Sequence, residues 1–228
     1  MDVRLPFRFL ILVPFALSAA IASASEIALT AFEPFGGVPV NNSAEVASRL
    51  GDLLRTPSAT GGTVKVTECI LPVEYDRAAE VALRCIGDRK PDLVLSFGAG
   101  DCEIHFETRG RNRDQTYSAD NAGVIRDSGT PIVPGAPEYL TLSAPMISIY
   151  EHAPRLGAAG LAQSEDAGAY VCNNTAYHLA HTYRVPNSPT RYGFIHVPPT
   201  TCGAAVSDPV VIARTIELAL REAMPELF

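Results

Sequence analysis

The 228 residues are 47% hydrophobic and 19% charged, and they carry a net charge of −7. That length suits one α/β domain with a two-sided core and is short for two, while the apolar share excludes a disordered chain. Eighteen Lys and Arg stand against 25 Asp and Glu, and no basic run offers a phosphate-tracking surface, so nucleic acid is not expected as a partner.

Arg4 and Arg8 precede an apolar stretch over 9–22 that ends in Ala22-Ser23-Ala24. A charged start, a short apolar core and an A-x-A site describe a secretory signal peptide over 1–24, with 25–228 as the exported domain. The apolar run is broken by Pro14 and falls short of the roughly 20 residues a spanning helix needs, so no stable membrane association is expected after cleavage. The destination is periplasmic or secreted.

Residues 27–30 read as a buried first strand, and Pro34, Gly36 and Gly37 make 31–37 a tight loop. Residues 43–54 have helical spacing, 63–71 alternate like a strand, and 74–89 read as an amphipathic helix. Pro91-Asp92 introduces an apolar strand over 93–97 that ends at Gly98-Ala99-Gly100. Strand, helix, strand in that order predicts a parallel sheet and a three-layer α/β/α sandwich, in one domain. Between 101 and 137 no apolar period survives, which predicts loops with room for a hairpin. Helices are predicted over 141–156, 168–183 and 208–224, with a strand over 193–197.

Two residues stand out chemically. Cys172 lies where the 168–183 helix opens; a helix start stabilises a thiolate and its N–H groups can hold an oxyanion. His196 ends the 193–197 strand, at the carboxyl edge of the sheet where ligands bind, and could relay a proton from thiol to leaving amine. On position alone, a structural cysteine and an edge imidazole are the better account of both. His178 and His181 stand three apart on one helix but lack further ligands, so no metal is expected. The five cysteines, Cys69, Cys85, Cys102, Cys172 and Cys202, leave one over if they pair in an oxidising compartment. With Cys172 as a working thiol, the other four allow up to two disulfides in any of three connectivities, or remain buried thiols.

Three stretches resemble the pyroglutamyl-peptidase I family of cysteine peptidases. They are Thr30-Ala31-Phe32-Glu33-Pro34-Phe35-Gly36-Gly37 with Asn41-Asn42-Ser43, the segment 164–173 ending in Val171-Cys172-Asn173, and Gly193-Phe194-Ile195-His196-Val197-Pro198. The resemblance implies Cys172 as nucleophile, His196 as its base and Glu107 as the carboxylate that steadies the imidazole. It implies a lactam slot built from Phe32 and Phe35, braced by Asn41, with Tyr170 and Val171 beside the nucleophile. It further implies a peptide substrate with a pyroglutamyl N-terminus, no metal or organic cofactor, and the homo-oligomers common among family members.

The chain departs from the family pattern in places. The loop after the third strand reads Phe97-Gly98-Ala99-Gly100-Asp101-Cys102, one residue short and without the glutamine that helps read the lactam. Thr108 and Tyr117 stand where the family has arginines, although Arg109, Arg111 and Arg113 crowd the same loop. Two rival expectations follow: the same triad acting on another blocked N-terminus or amide, or a non-catalytic exported binding protein with this fold.

Overall fold

The computed structural model describes residues 24–57, 63–184 and 188–228, so the segment read as a signal peptide lies outside the described residues up to Ser23. Six strands form one sheet in the order β2-β1-β3-β8-β4-β7: β1 Ser25–Phe32, β2 Val64–Leu71, β3 Leu93–Ala99, β4 Glu103–Glu107, β7 Gly160–Ser164 and β8 Arg191–Val197. β2, β1, β3 and β8 run parallel, while β4 meets β8 antiparallel and carries β7 parallel to itself. The apolar runs of β1, β3 and β8 are buried almost throughout, as central strands covered on both faces require, whereas β2 at the edge alternates.

Helices α1 (Asn42–Arg55), α3 (Met146–Glu151) and α5 (Pro209–Ala223) pack together through α5, and α2 (Arg77–Ile86) packs on α4 (Val171–Tyr183). The sheet thus lies between helical layers, the mainly parallel three-layer α/β/α architecture expected from the sequence. A two-stranded ribbon, β5 (Arg109–Arg111) with β6 (Tyr139–Thr141), lies against α4.

The structure shortens several predicted elements, each for a local reason. The helix expected over 74–89 is limited to Arg77–Ile86 by positive φ at both ends, +59° at Asp76 and +61° at Gly87. The helix expected over 141–156 is only Met146–Glu151, because Pro145 stands at its N-cap and Pro154 follows closely. The helix expected from 168 starts at Val171, since Gly168 sits at φ +81°. Within the 101–137 stretch, β4 and β5 are strands that charged residues disguise, and β7 reads as a strand only once β4 is beside it.

Four of the five cysteines are paired, Cys69 with Cys85 and Cys102 with Cys202, and Cys172 is free.

Candidate active site

The site begins with an uncapped helix. α1 and α5 are capped by the side chains of Asn41 and Asp208, but Tyr170 at the head of α4 supplies no side-chain acceptor. The N–H groups of the first turn of α4 therefore keep their donors for another partner, and Cys172, its second residue, sits in the positive end of the helix.

Sheet register brings the imidazole beneath that thiol. His196 on β8 has Gly98 of β3 as its neighbour on one side. A Cβ on Gly98 would stand 2.7 Å from Cys172 Sγ and 3.1 Å from His196 Cδ2, so a glycine here lets the two groups meet. Gly100 is under the same pressure, since its Cβ would lie 2.9 Å from that of His196. On the other side β4 runs antiparallel, pairing Glu107 with Phe194 and thereby placing Glu107 diagonal to His196 on the same face. Glu107 is fully buried and its Oε1 lies 2.8 Å from His196 Nδ1. That contact fixes the ring and leaves Nε2 for the thiol.

Electrostatics follow from this sandwich. Burial alone would lower the pKa of His196, but hydrogen bonding to Cys172 and to Glu107, and their negative charges, win and raise it to about 10. The imidazole flanked by thiol and carboxylate therefore holds a proton through the neutral range.

A slot of about 150 Å³ opens beside Cys172 and His196. Its walls include Phe32, Phe35, Asn41, Tyr170 and Val171, so the sequence-predicted binding residues converge with the triad. Val73, Ala99 and Ala167 complete the lining and were not singled out by the sequence, being small apolar residues with nothing chemical to mark them. Phe35 faces Tyr170, with ring centres 6.3 Å apart. Asn41 holds the loop it starts from: its Nδ2 donates to Glu33 O, and its Oδ1 accepts from Ser43 N and Oγ. The Tyr170 hydroxyl donates to Ala119 O. Both polar wall side chains are thus engaged within the protein.

Where the family pattern has arginine, Tyr117 is 85% exposed and Thr108 bonds Ser164 O. Arg109 turns to Glu165. Arg126 faces Thr116 across an isolated antiparallel bridge and binds Asp76 and Asp114. No sequence spacing pointed to it, although the paired Asn173-Asn174 in the first turn of α4 was a signal: both are poor helix formers and both are fully buried. Asn173 donates to Arg111 O and Arg113 O, and Asn174 reaches the same two aspartates as Arg126.

The family model for pyroglutamyl peptidase matches residues 25–221. The chain belongs to that family. It is 34% identical over 175 residues to the pyrrolidone-carboxylate peptidase of Thermococcus onnurineus, covering 76% of this chain and 83% of that one. Against the Yersinia pestis enzyme of the same name the identity is 31% over 174 residues, with 75% and 77% covered. Among solved structures, a mutant pyrrolidone carboxyl peptidase from Pyrococcus furiosus superposes with a TM-score of 0.72 at 27% identity, covering 89% of this chain and all of that one. In this member of the family the peptidase fold starts at β1, immediately after the segment read as a signal peptide.

Proposed function

We propose that the protein is an exported cysteine peptidase that removes an N-terminal pyroglutamyl residue through a thioester on Cys172. The observation that carries the residue roles is the meeting of Cys172, His196 and Glu107 at the mouth of a small apolar slot. The Cys172 thiolate attacks the pyroglutamyl carbonyl carbon while the free N–H groups of the α4 first turn bind the oxyanion. His196 donates its proton to the leaving amine as the C–N bond breaks, leaving a thioester and a shortened peptide. Water then attacks the thioester, giving its proton to His196, and pyroglutamate leaves as the thiolate reforms. Glu107 holds the imidazole in place and stabilises its charged form throughout.

The slot favours a neutral ring over an ordinary N-terminus. Burying an ammonium group among Phe32, Phe35 and Val171 without a counter-charge is strongly unfavourable, whereas a lactam has no charge to desolvate. Hydrolysis of a pyroglutamyl aminocoumarin amide, with the glutaminyl amide as control, tests this reading. Turnover of the first and none of the second is expected; equal turnover would defeat it.

A second reading, the same triad on other neutral blocked N-termini, is favoured by the engagement of Asn41 and Tyr170 with backbone partners. A site that reads the lactam by hydrogen bonds rejects a cyclopentanecarbonyl amide by about 10⁴-fold or more, while an apolar slot rejects it by only about 10–200-fold. Export rests on the 1–24 segment, and the two disulfides support it, since such bridges persist in oxidising compartments.

A further inference from the structure

Asp76 is the only non-glycine residue with positive φ among the described residues, at +59°, in the turn that begins at Val73 of the slot wall. A non-glycine residue keeps that conformation only where its surroundings over-determine it. Asp76 is gripped from three sides. Arg126 Nη1 and Nη2 reach its two carboxylate oxygens at 3.1 and 2.6 Å. Asn174 accepts from Asp76 N at 2.9 Å and donates to Oδ1 at 3.0 Å, and His178 Nε2 lies 3.1 Å from the same oxygen. Arg126 Nη1 also donates to Asp114 Oδ2 at 3.1 Å, an oxygen that Asn174 Nδ2 reaches at 2.7 Å. One guanidinium therefore binds two carboxylates to a residue two positions after Cys172.

The same guanidinium lies 4.8 Å over the ring of Tyr75, whose ring meets Tyr170 edge-on at 5.6 Å. Tyr170 both heads α4 and walls the slot. Tyr75 N donates to Asp120, whose turn carries Asn121, and Asn121 Nδ2 donates to Glu33 Oε1 and Pro34 O in the loop that bears Phe35. The 73–76 turn and the head of α4 thus meet through one cation, and the 32–35 loop is tied to the same turn through Asp120 and Asn121.

We propose that Arg126 is the positioning residue of this active site, holding the head of α4 through Asp76, Asp114 and Asn174, and the Tyr170 wall through Tyr75. The cation is charge-critical, because Asp76 and Asp114 share one amide donor and would otherwise face each other with only His178 beside Asp76 and no cation beside Asp114. Asp114 is almost fully buried, and its Oδ1 has no partner. Its burial, opposed by Asn174 and Arg126, already lifts its pKa to about 6. The charged or titratable groups around it are Arg126, Asp76 and Tyr75, with His178 on Asp76 and with Tyr170 and Asp120 on Tyr75. Without Arg126, Asp114 can remain in place only as the neutral acid, so the geometry survives in mild acid and fails as pH rises.

The experiment is steady-state kinetics of Arg126→Met, Arg126→Lys and Asp114→Asn/Arg126→Met on a pyroglutamyl amide, with thermal melts to verify folding. Arg126→Met is expected to lose about tenfold to a hundredfold in kcat/KM at about pH 8, and clearly less relative to wild type at about pH 5.5. Removing the orphaned charge in Asp114→Asn/Arg126→Met should restore most of the loss at the higher pH. Arg126→Lys keeps the charge but not the flat face on Tyr75, so it should hold kcat and raise KM several-fold. Arg126→Met within about twofold of wild type at both pH values would overturn the proposal. So would a deficit that neither pH nor Asp114→Asn relieves. Should Arg126→Met fail to fold, unchanged KM in Arg126→Lys overturns it alone.

Discussion

Glu107 shows how a single carboxylate acquires a task from its place in the sheet. In the sequence it is one acid in a Gly-rich stretch, and spacing relative to Asn112 and Asp120 marks it only by resemblance. In the fold it is fully buried, and Oε1 meets His196 Nδ1 while Oε2 has no partner. Glu107→Gln keeps the shape and loses the charge, so kcat should fall by about 10²- to 10⁴-fold with KM little changed, as measured on a pyroglutamyl amide. The raised pKa of His196 also makes a stability prediction. Its folded value, about 10, lies above the ordinary 6.5, so the folded state binds this proton more tightly. The resulting stability is fully present below about pH 6.5 and is lost as pH rises toward about 10. Urea titrations across that window should show a decline in wild type that flattens in His196→Gln; parallel curves for the two would contradict the assignment. Cys172 and His196 were drawn out by their places at element ends, but it was the resemblance of their segments, not position, that gave them roles. Arg126 and Asp76 were not, because their roles arise from contacts between segments about 50 residues apart.

At the scale of elements, the parallel core was legible and the antiparallel edge was not. β1, β3 and β8 announce themselves as short apolar runs, since strands covered on both faces have no polar side to show. β4, with Glu103, His105 and Glu107 along one face, reads as a loop, yet that polar face is what delivers Glu107 to the site. The disulfides tie these elements together. Cys102–Cys202 joins the turn after β3 to the short helix after β8, the two segments flanking His196, and closes 100 residues; Cys69–Cys85 ties β2 to α2 and closes 16. By loop-closure entropy the first should stabilise by about 4.7 kcal/mol and the second by about 3 kcal/mol. Paired Cys→Ala replacements, compared by denaturant unfolding with Cys172 blocked, should therefore lose more stability at 102/202 than at 69/85. The reverse order would show that local strain or residual structure, not chain entropy, dominates.

For the molecule as a whole, composition set the class and the βαβ order set the architecture; three short stretches located the chemistry. What no bulk property carried is the substrate, which depends on a slot of about 150 Å³ assembled from five separate segments. Two bridges take up four of the five cysteines, and one thiol is kept free. The central claim is covalent, and it can be read directly. Acid quenching during turnover of a pyroglutamyl amide, followed by peptide mapping by mass spectrometry, should find one pyroglutamyl group on Cys172 in the wild type. Cys172→Ser should carry no thioester and lose turnover by at least about a thousandfold. An acyl group on any other residue, or full turnover by Cys172→Ser, would contradict the account.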